Sequence, residues 1–160
     1  MPREARNPGG LRIDRRGLVL GGAAGLLVLS LPRGALARPS LEEAIDGFTK
    51  GAPVQDGRVK LEIPPLLENG NAVGVTVTVE SPMSAEDHVR RIALFNEKNP
   101  QADIAVFHLE PRAGRARVST RIRLATSQTV VALAEMTDGT FWASRESVIV
   151  TLAACIEDLS

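Results

Sequence analysis

Between Val59 and Leu152 apolar residues fall mostly on every second position, the spacing that lines one face of a β-strand. Val73, Val75, Val77 and Val79 alternate with Gly74, Thr76 and Thr78, so this segment presents valines to a core and small polar groups to water. Val59, Leu61 and Ile63 alternate with Lys60 and Glu62, after which Pro64-Pro65 and Glu68-Asn69-Gly70-Asn71 break the run and turn the chain. The same pattern predicts strands over 89–95, 104–109, 115–124, 129–136 and 141–152, the last with a break near Ser144. Asn99-Pro100 marks a loop, Pro111-Arg112-Ala113-Gly114 a hairpin, and Asp138-Gly139 a tight turn that needs positive φ. Ahead of the strands, Ser40 and Glu43 form a capping box. Leu41, Ala44, Ile45 and Phe48 follow at helical spacing, predicting a short helix that runs to about Gly47. About seven short strands with frequent turns and no helices between them define an all-β chain. The expected fold is an immunoglobulin-like antiparallel β-sandwich over 38–152, with a short N-terminal helix and a mobile C-terminal tail over 153–160.

The N-terminus follows a different rule. Arg3, Arg6, Arg12, Arg15 and Arg16 precede an uncharged apolar run from Gly17 to Leu31, and Ala35-Leu36-Ala37 follows it. A basic stretch, an apolar run and a small-x-small site together make a bacterial signal peptide over 1–37. The Arg15-Arg16 pair before a Gly- and Ala-rich run favours the twin-arginine route, whose cargo is exported folded. The run is about 15 residues long, short of the roughly 20 that a membrane span needs, so cleavage after Ala37 is expected rather than anchoring. The expected location is the periplasm, with no membrane attachment after cleavage.

Removing the leader changes the charge. Six basic and two acidic residues leave with it, and the remaining 123 residues carry 13 basic and 17 acidic groups. That length fits one domain. A mildly acidic chain without a basic block, whose aromatics are Phe48, Phe95, Phe107, Phe141 and Trp142, lacks the charge and stacking groups of a nucleic-acid binder. No Gly-rich phosphate loop, Gly-x-Ser-x-Gly elbow or HExxH motif occurs in the sequence. His88 and His108 are the sole histidines, far apart and without metal-ligand spacing, so no metal site and no cofactor are expected. Catalytic residues are likewise not expected.

Two features carry candidate chemistry. Arg115, Arg117, Arg121 and Arg123 alternate with smaller residues and place four guanidinium groups on one strand face. They suit either a solvated face with cross-strand acids such as Glu135, or docking to an acidic partner. The second feature is Cys155, the one cysteine, five residues from the C-terminus. An unpaired thiol in an oxidising compartment is reactive, and one on a tail can serve as a covalent handle or be merely tolerated. It has no base or oxyanion donor beside it in sequence, so it is not a catalyst by itself.

Several stretches in order resemble the SoxY family, the sulfur-carrier subunits of the bacterial Sox thiosulfate-oxidation system. They are Glu68-Asn69-Gly70-Asn71-Ala72-Val73, Glu80-Ser81-Pro82-Met83, Phe95-Asn96-Glu97-Lys98-Asn99-Pro100, Ser119-Thr120-Arg121-Ile122-Arg123-Leu124-Ala125 and Val131-Ala132-Leu133-Ala134-Glu135-Met136. The resemblance spans nearly the whole domain and implies a periplasmic carrier that is not itself an enzyme. It implies a heterodimer with a SoxZ-like subunit and covalent sulfur attachment at Cys155. It also implies three transient partners: a haem enzyme that conjugates thiosulfate to the cysteine, a hydrolase that releases sulfate, and a molybdenum-dependent dehydrogenase that oxidises the remaining sulfane sulfur.

The tail departs from the family pattern. That pattern ends Gly-Gly-Cys-Gly-Gly, whereas here Ala153 and Ala154 precede Cys155, and Ile156, Glu157, Asp158, Leu159 and Ser160 follow. Replacing glycines narrows the accessible backbone conformations, and Ile156 is β-branched as well. Glu157, Asp158 and the terminal carboxylate place negative charge near the sulfur, which disfavours the thiolate and repels an anion such as thiosulfate. Two further readings therefore stand beside the carrier: a divergent SoxY-like module that pairs with a SoxZ-like protein without carrying sulfur, and an isolated metal-binding sandwich.

Overall fold

The computed structural model describes residues 38–152, so the leader and the tail from Ala153 onward, Cys155 included, lie outside the described residues. Helix α1 (Leu41–Thr49) opens the described chain. The Ser40 side chain accepts from the Glu43 N–H at 3.1 Å, and the Ser40 N–H donates to the Glu43 carboxylate at 2.7 Å. The helix runs two residues past Gly47 and stops at Lys50, whose left-handed backbone (φ 57°) closes its C-terminal turn.

Nine strands follow: β1 (Val54–Asp56), β2 (Val59–Glu62), β3 (Leu66–Asn69), β4 (Val73–Val79), β5 (Val89–Asn96), β6 (Asp103–His108), β7 (Arg117–Ile122), β8 (Gln128–Met136) and β9 (Phe141–Leu152). Strands β2, β4 and β7 form a three-stranded antiparallel sheet in the order β2-β4-β7. The larger sheet has the order β1-β9-β8-β5-β6, with β3 added to the same edge of β9 further along. The two sheets make the expected immunoglobulin-like sandwich.

Why two sheets pack is visible in the burial. Val73, Val75, Val77 and Val79 of β4 all face inward, and so do Val59 and Leu61 of β2. They meet Ile92, Leu94, Val130, Ala132, Ala134, Met136, Val148 and Val150 from the larger sheet. The outer face of that larger sheet is also covered. Leu41 and Ile45 of α1, with half-buried Phe48, pack on Ala93, Phe95, Val131, Leu133, Phe141 and Ala143. Because β5 and β8 are buried on both faces, Ile92–Phe95 and Val130–Ala134 are continuous apolar runs and do not alternate.

Several expectations need correction. The break near Ser144 is absent: β9 is continuous because its ladder with β8 runs unbroken from Glu135↔Phe141 to Gln128↔Val148. Strand β7 is shorter than 115–124, beginning at Arg117 and ending at Ile122. Pro111–Ala113 forms a single 3-10 turn, not a hairpin, because β6 and β7 belong to different sheets. Strands β1 and β3 are additions to the expected set, and both pair with β9 in parallel, so the sandwich is not wholly antiparallel. The Asp138-Gly139 turn forms as expected, with Gly139 at φ 82° between β8 and β9.

Candidate functional site

The strand that leads to Cys155 ends in a firmly tied region. Leu67 and Asn69 of β3 pair with Val150 and Leu152. The Ser127 hydroxyl accepts from the Val150 N–H at 2.9 Å and donates to the Val150 carbonyl at 3.3 Å. The Thr151 hydroxyl lies 3.2 Å from both the Leu67 and Glu68 carbonyls. Leu66 and Ile149, paired across these strands, remain 63% and 58% exposed and form an apolar spot near the end of β9.

The loops at that end are held by amide side chains. The Asn99 carbonyl oxygen accepts from the Ala125 N–H and from the Gln128 side-chain amide, both at 2.8 Å, while its own amide donates to the Arg123 carbonyl at 2.7 Å. Buried Asn96 donates to the Gln101 carbonyl at 2.8 Å and accepts from the Asn99 N–H at 2.8 Å. The Gln128 oxygen takes the Lys98 N–H at 2.8 Å. Asn96 and Gln128 are 1% and 5% exposed, and among the described residues no buried side-chain polar atom lacks a partner. The stretch Phe95–Pro100 thus plays a structural part, locking the β5–β6 loop to the loop before β8.

The four arginines are all exposed. Arg117 and Arg121 stand opposite Thr78 and Gly74 on the outer face of the small sheet, and Arg115 and Arg123 flank β7. Lys60, Glu62, Thr76 and Ser119 share that face, with the Thr76 and Ser119 hydroxyls 2.8 Å apart. The Lys60 ammonium holds the Glu62 carboxyl below its usual range, and Arg117 adds a smaller effect of the same sign. Glu135 is not the partner of this face. It lies in the other sheet and binds Arg90 at 3.3 Å and Arg91, so the expected cross-strand pairing with Arg115, Arg117, Arg121 and Arg123 does not occur.

The histidines lie at the opposite end of the sandwich from Leu152. His88 precedes β5, its Nδ1 3.0 Å from the Ser84 carbonyl and 3.0 Å from the Thr137 hydroxyl. His108 ends β6 and is exposed. Among the described residues no three His, Cys, Asp or Glu side chains gather as metal ligands would. Nor is any helix among them long and apolar enough to cross a membrane.

The fold and its geometry define an immunoglobulin-like sandwich whose last strand is pinned by side chains immediately ahead of the C-terminal segment. The family model described as sulfur oxidation protein SoxY matches residues 45–155, and the chain belongs to the SoxY family. The sulfur carrier protein SoxY from Chlorobium limicola f thiosulfatophilum superposes with a TM-score of 0.59 at 28% identity, covering 71% of this chain and 97% of its own. A superoxide reductase (neelaredoxin) from Ignicoccus hospitalis matches at 20% identity and a TM-score of 0.54, over 59% of this chain and 80% of its own. A putative superoxide reductase from Thermotoga maritima gives 22% and 0.52, over 66% and 91%. The latter two show the fold alone. No curated protein matches the sequence.

Arg90 and Arg91 are not among the residues that the sequence pattern singles out. Their signal is two adjacent charges at the head of an apolar strand, where strict alternation would send one of them into the core.

Proposed function

We propose that this protein is a periplasmic sulfur carrier that holds oxidised sulfur on Cys155 while separate enzymes process it. The observation that carries the reading is the family match, which extends through residue 155 and so includes the cysteine. The solved relative from Chlorobium is described as a sulfur carrier. Tying of β9 by Ser127 and Thr151 up to Leu152 gives a fixed base three residues before the thiol. From Leu152, three residues span about 10 Å when extended, enough to present the sulfur to a shallow catalytic channel.

In this reading the protein supplies the thiol and a partner supplies the oxidant. The Cys155 sulfur bonds to the terminal sulfur of thiosulfate, the thiol proton is released, and two electrons pass to the haem groups of the conjugating enzyme. A hydrolase and a sulfane dehydrogenase act on the adduct afterwards, and the protein itself holds no cofactor. A SoxZ-like subunit forms the heterodimer, with exposed Leu66 and Ile149 offering apolar contact beside the base of the tail. Arg115, Arg117, Arg121 and Arg123 offer a cationic face to acidic partners.

The second reading, a binding module that pairs with a SoxZ-like protein without carrying sulfur, is favoured by the tail sequence. Ala153, Ala154, Ile156 and Glu157 replace glycines in the family pattern, and Glu157 and Asp158 repel an incoming anion. Mass spectrometry after incubation with thiosulfate and the haem conjugase separates the two. A carrier gains one thiosulfate unit on Cys155, and Cys155→Ala abolishes the gain. A protein that binds the SoxZ-like subunit yet shows no adduct is the binding module.

A further inference from the structure

At the end of the sandwich away from Leu152, side chains from α1, β5, β6 and β8 line a concave cup of about 760 Å³. Lys50, His88, Arg90, Arg91 and His108 contribute nitrogen groups, Glu110 and Glu135 contribute acids, and Phe48 supplies an aromatic wall. The local fold explains why so many cations meet here. Val89 pairs with Met136 and Arg91 with Glu135, so Arg90 is the extra residue of a β-bulge. A bulge re-aims a side chain, and this one brings two consecutive arginines onto the same carboxylate.

Both oxygens of that carboxylate are engaged. Arg90 Nη1 reaches one Glu135 oxygen at 3.3 Å, and Arg91 binds the other through Nε and Nη2. Arg91 also lies 4.3 Å from the centre of the Phe48 ring, which fixes its plane. One acid therefore orients two guanidinium groups, and each keeps N–H donors that Glu135 does not take. Lys50, on its left-handed cap, forms no ion pair among the described residues. The His88 Nδ1 lies 3.0 Å from the Ser84 carbonyl, and its Nε2 makes no hydrogen bond to a described residue. No described residue bonds to the His108 ring.

We propose that this cup is a binding site for a small divalent oxyanion, held by Lys50, Arg90 and Arg91 with the two imidazoles at its rim. Pre-oriented donors in a concavity, with one carboxylate shared between two arginines, recognise a compact anion better than an extended acidic chain. The site is separate from the chemistry of the chain's own thiol. Phe141 of β9 pairs beside Glu135, and Leu152 lies eleven residues along the same strand, about 35 Å away at ~3.3 Å per residue. Three further residues reach about 10 Å. Cys155 therefore cannot visit the cup of its own protomer, and the inference does not depend on the carrier reading.

The test is a titration of the purified, isotope-labelled protein with sodium sulfate and with sodium thiosulfate, followed by backbone and imidazole NMR, with sodium chloride at matched ionic strength as control. Saturable shifts centred on Lys50, His88, Arg91 and His108 are expected with both dianions and not with chloride. Lys50→Ala should weaken binding by about five-fold, and Glu110→Gln, which removes a repelling charge, should tighten it by about two-fold. Arg117→Ala, on the other sheet, should leave it unchanged. Absence of saturable shifts, equal shifts with chloride, insensitivity to both cup variants, or equal weakening by Arg117→Ala would each overturn the proposal.

Discussion

Phe48→Ala tests the idea that α1 is a structural cover for the larger sheet. Phe48 makes edge-to-face contacts with Phe95 (centroids 5.8 Å apart) and Phe141 (6.1 Å), and Arg91 stacks over its ring. Its ring is half-buried, so the transfer contribution is about half that of a fully buried phenylalanine, roughly 1 kcal/mol. Each aromatic pair adds about 0.5–1.5 kcal/mol and the guanidinium contact roughly another 0.5 kcal/mol at a partly exposed site. Truncation should thus cost about 3 kcal/mol, at the lower end of the range for buried aromatics because the ring is partly wet. Phe48→Leu keeps most of the apolar area but none of the ring geometry, and should cost about 2 kcal/mol. Urea unfolding followed by circular dichroism measures both, and the midpoint should fall with the slope unchanged. A loss below about 1 kcal/mol for Phe48→Ala would refute the reasoning, since the helix would then contribute little to holding the sheet.

Leu133→Ala, a fully buried site between α1 and the larger sheet, should cost about 2–5 kcal/mol by the same urea assay. Gly57 has φ 125°, and a Cβ there would sit 3.3 Å from the Trp142 ring, so Gly57→Ala should lose about 2 kcal/mol or more by thermal melting. Lys60→Ala, which breaks an exposed ion pair with Glu62, should change stability by less than about 0.5 kcal/mol. The Ser40 N–H and then the Ser40 hydroxyl lower the Glu43 pKa, and the Thr140 N–H and then its hydroxyl lower that of Asp138. Groups depressed in the folded state stabilise above their unfolded pKa and lose that contribution as pH falls through the folded one. The stability gap between the native chain and Glu43→Gln or Asp138→Asn should therefore be widest near neutrality and close below about pH 4, as read from urea midpoints across pH.

Legibility in the sequence follows the physics of each element. Strand β4 is plain because one face is wet, so valines alternate with Gly74, Thr76 and Thr78. The capping box at Ser40 and Glu43 is equally plain, since its bonds are local. Strands β1 and β3 are hidden because Val54-Gln55-Asp56 and Leu66-Leu67-Glu68-Asn69 have weak patterns of their own and exist by pairing with β9. Ser144 resembles an interruption, but it faces Ala132 in an intact ladder with β8. Local spacing points Glu135 at the wrong arginines because the assignment of strands to sheets is not written in it. Of the four alternating arginines, Arg117 and Arg121 lie on β7 while Arg115 and Arg123 fall outside it, because alternation does not mark where the strand ends, and the Arg90 bulge depends on register with β8.

The way β9 is gripped has a mechanical consequence. Its partner β8 runs antiparallel along most of its length, and β3 runs beside it in parallel and ends level with Leu152. Tension applied at the C-terminal end of β9 along the strand axis strains many ladder bonds together, a shear geometry, where a perpendicular pull would unzip them one by one. An enzyme that seizes the terminus and tugs would meet a stiff mooring, and in single-molecule pulling from that end the domain should yield in one abrupt, high-force event.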